Sequence, residues 1–192
     1  MSKAVFLDRD GVLMRLVLNH ATGDYESPKS VEDVALLPQA AQSLQELQAA
    51  GYGLFLVSNQ PDYAKGKTTL EMLDSIHAKF HSLLASQGIR FTEYYYCRHH
   101  PQGVAPRYSY ACECRKPKPF FLLKAKEEHS IDLRNSWIIG DQDTDVECGK
   151  AAGTETILIE TTESAETRGA IQPDYRVRNL LEATDIIFNN RK

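Results

Sequence analysis

KAVFLDRDGV, residues 3–12, is the stretch on which the fold turns. Ala4 to Leu7 is an unbroken apolar run that stops at Asp8-Arg9-Asp10-Gly11. A short continuous apolar run bounded by polar residues predicts a parallel strand covered on both faces. On an extended segment, side chains two apart point the same way, so Asp8 and Asp10 face one pocket. Gly11 then lets the chain turn sharply. Two carboxylates this close repel unless a cation or a shared proton lies between them.

Outward from this strand the pattern repeats. Gly53–Val57 predicts a second strand, followed by Ser58-Asn59-Gln60, and Phe91–Tyr96 a third that leads into a cysteine-rich loop. Ser136–Ile139 before Gly140-Asp141 predicts a fourth, Thr156–Ile159 a fifth and Tyr175–Val177 an edge strand. Helices are expected over Pro38–Ala50, Thr68–Gln87, Pro119–His129, Val146–Ala152 and Asn179–Phe188. In the longest, Leu70, Leu73, Ile76, Phe80, Leu83 and Leu84 recur at helical spacing, and Gly88 marks the stop. Strands alternating with helices predict an α/β fold, a parallel sheet with helices on both faces. Ligands bind at the carboxyl ends of strands in such sheets, where the polar clusters fall.

The chain's 192 residues suit a single domain, 1–192, able to bury a core without disulfides. A net charge of −4 argues against a nucleic-acid binder. No apolar run approaches the roughly 18 residues of a membrane span. The N-terminus does not read as a signal peptide, so a cytoplasmic protein with no membrane partner is expected.

Asp141 supplies a third carboxylate, with Asp143 and Asp145 close behind it. Three carboxylates about one point suit Mg²⁺ better than zinc. Lys116 offers a fixed positive charge, and Ser58 with the amide of Asn59 can donate to an anion. A carboxylate nucleophile, a neighbouring acid/base, Mg²⁺ and a Ser/Lys grip on phosphate describe phosphoryl transfer through an aspartyl-phosphate. Asp143 reads better as a helix cap; Asp145 fits either role. Asn59 fits a turn-shaping role as well, and Arg115 and Lys118 are either phosphate-facing or solvated cations.

Cys97-x-His99 and Cys112-x-Cys114 form two chelating pairs, matching a closed tetrahedral zinc site. His100 is the competing imidazole, and Cys148 reads as an ordinary buried thiol. Such a clamp would aim Arg115 and Lys116 at a phosphate held over Asp8.

DRDGV, SNQ, Lys116 and GDQDTD, in this order, resemble the four signature motifs of the haloacid dehalogenase superfamily over about residues 3–160. The resemblance implies a Rossmann-like sheet, Asp8 as nucleophile and Asp10 as general acid/base. It also implies Ser58 and Lys116 as phosphate ligands, and Mg²⁺ on Asp8, Asp141 and the backbone carbonyl of Asp10. C-x-H-H-P and C-x-C-R-K-P-K-P resemble the heptose 1,7-bisphosphate and histidinol-phosphate phosphatase group. There a zinc loop, here about 97–114, replaces a large cap. The implied protein is a capless, monomeric, Mg²⁺-dependent phosphomonoester hydrolase acting on a small phosphorylated metabolite. D-glycero-D-manno-heptose 1,7-bisphosphate is the first choice of substrate and histidinol phosphate the second. A different class, a zinc-stabilised non-catalytic binding module using Arg98, Arg107, Arg115, Lys116 and Lys118, is the alternative. SNQPDYAKG, Gln142 and the stretch 19–29 depart from the heptose-type pattern, and that stretch is expected to reach over the site.

Overall fold

A computed structural model describes residues 2–190. Strand β1 (Ala4–Leu7) leads into a hairpin of β2 (Val17–Leu18) and β3 (Tyr25–Glu26). Helix α1 (Ala40–Ala49), β4 (Gly53–Asn59), α2 (Leu70–Ser86) and β5 (Glu93–Cys97) follow. Beyond the cysteine loop come α3 (Phe120–His129), β6 (Trp137–Gly140), α4 (Asp143–Ala152) and β7 (Glu155–Ile159). The last elements are β8 (Tyr175–Val177) and α5 (Leu180–Asn189).

Six strands form one parallel sheet in the order β5-β4-β1-β6-β7-β8. This is the Rossmann-like architecture expected, with β1 between β4 and β6. Alternation along β1 explains why its four residues are all apolar. Val5 and Leu7 join a core with Leu44 of α1, Phe80 of α2 and Ile187 of α5. Ala4 and Phe6 join a second core with Leu122 of α3 and Cys148 of α4. Both faces are covered, so no polar position is tolerated until the strand ends at Asp8.

Boundaries differ from the sequence reading where side chains outside the apolar run carry the pairing. Strand β4 runs on to Asn59, because Ser58 and Asn59 still pair with Tyr96 and Cys97 of β5. Helix α4 begins at Asp143, since Gln142 and Asp145 cap it reciprocally. The hairpin has no counterpart in the sequence reading, because two-residue strands are too short to show alternation. Its turn is closed by Asn19, whose Oδ1 accepts from the Ala21 amide at 3.0 Å, and by Gly23 N–H donating to the Asn19 carbonyl at 2.8 Å. Among the described residues no helix is long and apolar enough to cross a membrane.

Helix α2 carries a buried imidazole, His77, stacked on Tyr96 with ring centres 3.8 Å apart and planes within 4°. Burial, reinforced by the nearby Arg9 cation, pushes its pKa down to about 3. The unfolded chain takes up a proton near pH 6.5 that the fold refuses, so stability is lost as pH falls from there towards 3. The loss is at most about 1.4 kcal/mol per pH unit. Denaturant unfolding at pH 7 and pH 5 should show a drop that His77→Phe reduces; an identical drop in the variant would place its origin elsewhere.

Candidate active site

Each polar cluster stands at a carboxyl end of the sheet. Asp8 and Asp10 follow β1, Ser58 and Asn59 end β4, and Asp141 follows β6. Lys116 enters from the cysteine loop just before α3.

Lys116 is the centre of the site. It is 3% exposed, and its Nζ lies 2.9 Å from Asp8 Oδ1 and 2.5 Å from Asp145 Oδ1. The same ammonium donates to the Val57 carbonyl at 2.7 Å. Burial works against this charge, but Asp145 and Asp8 outweigh it and hold the ammonium above its ordinary pKa. Asp145 therefore does two things: it caps α4 by accepting from the Gln142 amide at 3.1 Å, and it pins the lysine.

Oxygens of Asp8, Asp141 and Asp145 lie within 4.8 Å of one another. Asp141 is fully buried, and among the described residues its carboxylate oxygens make no close hydrogen bond; the neighbouring Ser164 hydroxyl only partly offsets its burial. Burial, then Asp8 and Asp145, push its pKa well above the usual carboxylate range. Three carboxylates against one ammonium leave an excess of negative charge in a dry site. Oxygen-only donors with unpartnered lone pairs fit a hard divalent cation such as Mg²⁺. The packing leaves no slack. Gly11 has φ +79°, and a Cβ there would sit 2.2 Å from Asp141 Oδ2; at Gly140 it would lie 2.1 Å from Asp145 Cβ.

The Asp10 carboxylate is turned to other partners. Arg9, wholly buried, donates through Nε to Oδ1 at 3.1 Å and through Nη2 to Oδ2 at 2.9 Å. Gln60 Nε2 and Ser27 Oγ also donate to Oδ2, at 2.7 and 2.9 Å. Burial raises the proton affinity of Asp10, but Arg9 overrides it and holds the pKa below the ordinary value. A cation site shared with Asp8 and Asp141 would thus meet Asp10 through its backbone rather than its carboxylate.

Ser58, Asn59 and Gln60 divide the labour. Ser58 Oγ accepts from Gln60 Nε2 at 2.9 Å. Asn59 grips the main chain of Lys116 twice: Oδ1 accepts from its amide at 3.1 Å, and Nδ2 donates to its carbonyl at 3.2 Å. The Asn59 side chain is thus committed to holding the main chain of Lys116.

The cysteine loop gathers Cys97, His99, Cys112 and Cys114. Sulfur separations are 3.5 Å (97 to 112) and 3.4 Å (112 to 114), and His99 Nδ1 lies 3.9 and 3.5 Å from Cys97 and Cys114. Ligands 2.0–2.3 Å from one tetrahedral zinc lie roughly 3.4–3.8 Å apart, so these residues fit the ion. Tyr110 Oη bonds His99 Nε2 at 2.9 Å, which leaves Nδ1 for the sulfurs. His100 is excluded from the cluster; its Nδ1 accepts from the Gln102 amide. Cys148 is buried apart from it, as expected.

A cleft of about 250 Å³ opens over Asp8, Asp10 and Lys116, walled by the hairpin (Tyr25) and the cysteine-loop exit (Arg115). The stretch 19–29 does reach the site. Lys118 does not line the cleft; it pairs with exposed Glu113 at 2.7 Å. Sequence reasoning missed Arg9, Gln60 and Ser27. Arg9 and Gln60 stood inside quoted motifs, but nothing in their spacing showed that they would be buried against Asp10.

Residues 113–183 match the HAD-hydrolase-like family. A D-glycero-beta-D-manno-heptose-1,7-bisphosphate 7-phosphatase of Pasteurella multocida is 32% identical over 97% of this chain and 97% of its own. One of Chlorobaculum tepidum is also 32% identical, over 95% of this chain and 92% of its own. The chain belongs to the haloacid dehalogenase family. It is a phosphatase, and the reading as a non-catalytic binding module falls. The fold agrees: a D,D-heptose 1,7-bisphosphate phosphatase from B. bronchiseptica, complexed with magnesium and phosphate, superposes with a TM-score of 0.80. It is 26% identical over 97% of this chain and 98% of its own. A HAD-like phosphatase from Mesorhizobium loti gives the same score and identity, over 100% of this chain and 88% of its own.

The tight contact at Gly11 gives a test of the phosphatase site. Gly11→Ala forces a methyl group into Asp141 and strains a left-handed backbone by about 1–2 kcal/mol. Phosphate release should fall at least about tenfold, the factor carried by each 1.4 kcal/mol, while circular dichroism stays native. Full turnover in this variant would show that Asp141 has room to shift.

Proposed function

We propose that the enzyme is a Mg²⁺-dependent phosphomonoester hydrolase with Asp8 as nucleophile, and that its substrate is D-glycero-D-manno-heptose 1,7-bisphosphate. The observation that carries the mechanism is the buried Lys116 ammonium 2.9 Å from Asp8, beside a buried Asp141 carboxyl group that forms no ion pair with a described residue. Lys116 lies against Asp8 and stands where it can receive phosphoryl oxygens. Asp8 Oδ attacks phosphorus, and the bond to the leaving oxygen breaks. Asp10 gives that oxygen its proton, then takes one from the water that hydrolyses the aspartyl-phosphate. Arg9 favours ionised Asp10 in the resting site; a dianionic phosphate nearby favours the protonated form the first step requires. Ser58, Arg115 and the Asn59 main chain complete the grip on phosphate. Asp8, Asp141 and the Asp10 carbonyl would hold Mg²⁺, which when bound neutralises charge on the transferring phosphoryl group.

Charge at the rim supports the bisphosphate over histidinol phosphate. Of the cleft's cations, Lys29 and Lys67 are matched by Asp62 and Glu26, and Lys116 by Asp8 and Asp145. Lys65 and Arg115 form no ion pair with a described residue, and burial together with Arg115 depresses the Lys65 pKa. Two unmatched cations welcome a second anionic group and repel the ammonium of histidinol phosphate. The relatives named above for heptose bisphosphate point the same way. Cys97, His99, Cys112 and Cys114 hold zinc in this reading and fix the approach of Arg115 and Lys116.

Asp8→Asn should abolish phosphate release from the heptose bisphosphate with Mg²⁺ while the protein remains folded; measurable turnover would remove Asp8 as nucleophile. Histidinol phosphate, assayed beside it, should give a kcat/KM lower by at least about tenfold, the factor carried by 1.4 kcal/mol of lost charge complementarity. The reverse order would reverse the assignment. Metal analysis should find one zinc per chain. Its removal by a chelator, with Mg²⁺ restored, should lower both Tm and kcat/KM, whereas a metal-free protein with unchanged Tm would leave the four ligands without a structural role.

A further inference from the structure

Ser27 is brought to the site by the hairpin, from outside the sheet. Its hydroxyl donates to Asp10 Oδ2 at 2.9 Å. The residue before it and the residue two after it are both tied to the loop that follows β4. Glu26 pairs with Lys67 at 2.6 Å, Lys29 pairs with Asp62 at 2.6 Å, and Glu26 and Lys29 meet at 3.2 Å. The Lys29 and Ser30 amides both donate to Asp33 Oδ2, which anchors the strap's far end. These four charges form a latch that seats Ser27 over Asp10.

The distribution of donors on Asp10 gives the latch its chemical meaning. Oδ2 receives three: Arg9 Nη2, Gln60 Nε2 and Ser27 Oγ. Among the described residues Oδ1 receives only Arg9 Nε. A carboxylate oxygen saturated by three donors has no lone pair left for a proton, whereas Oδ1 keeps one.

We infer that Ser27 is a positioning residue: it locks the Asp10 carboxylate so that Oδ1 is the oxygen that exchanges a proton with the leaving group, and the Glu26–Lys67 and Lys29–Asp62 latch holds Ser27 in place. This rests on Asp10 being the acid/base proposed above. Without Ser27 only Gln60 opposes rocking of the carboxylate about its pair with Arg9, and proton delivery to the leaving oxygen slows while attack by Asp8 is untouched.

Leaving-group dependence separates this role from a merely structural one. A sugar alkoxide needs the proton; p-nitrophenolate leaves without it. Ser27→Ala should lower kcat/KM for the alkyl phosphate the enzyme turns over fastest by about fivefold, the factor typical of one lost hydrogen bond. Its kcat/KM for p-nitrophenyl phosphate should be unchanged, and Ser27→Thr should restore the alkyl rate. Asp62→Asn with Lys67→Met should reproduce the selective loss in the wild-type background and add nothing to it in Ser27→Ala. Equal losses on both esters, no loss on either, or additive losses from latch and serine would overturn the inference. Asp10→Asn serves as the control. If it too fails to discriminate between the esters, the acid/base assignment of Asp10 falls; if it discriminates and Ser27→Ala does not, only the role of Ser27 falls.

Discussion

A single buried ammonium organises this protein. Lys116 is almost entirely buried at the floor of the cleft, and an isolated charge there would be costly by several kcal/mol. Asp8 and Asp145 make it tolerable, the one just past β1 and the other in the first turn of α4. The lysine therefore joins β1 to the start of α4 across the sheet edge, while the Val57 carbonyl ties it to β4. Two adjacent strands and the first turn of a helix converge on one atom. Asp141 is the uncompensated remainder of that arrangement: the lysine cannot neutralise three carboxylates. An excess of carboxyl groups over cations in a crowded site is a setting that suits a divalent cation.

The neighbouring structure serves the lysine's position more than its charge. Asn59 holds both polar groups of its main chain, and the cysteine cluster holds the residues just before it. Cysteine cluster and active site are thus one construction. The cluster lies at the end of β5, and Arg115 and Lys116 follow directly on its last cysteine, so order in one is transmitted to the other through a single short span.

Much of this was legible in the sequence because buried parallel strands leave an unambiguous mark. β1, β4, β6 and β7 read as apolar runs, and the polar residues that end them are the site. Cys97, His99, Cys112 and Cys114 were legible from their chelating spacing. Asp145 stayed open because capping a helix and pairing a lysine ask for the same residue at the same place, and the structure gives it both. What the sequence hid depends on distance rather than pattern. Arg9 looks like a solvated cation in a loop, yet it lies wholly buried against Asp10. Ser27 lies in a hairpin whose strands have two residues each, too short for any periodicity, and its contact with Asp10 exists only once the chain has folded.

The strand order carries a consequence for how the molecule is made. β1 leaves the ribosome first, but it ends in the middle of the sheet, with β4 on one side and β6 on the other. A nascent chain that has reached β5 can pair β1 with β4 and bring Asp8 beside Ser58. Its other edge stays open until β6 emerges, after most of the polypeptide. Asp141 and Asp145 arrive only then. Asp8 is the oldest part of the site, and Asp141 and Asp145 are the youngest. Every truncated product ending before α4 therefore displays an unpaired apolar strand edge and a half-built site that lacks Asp145.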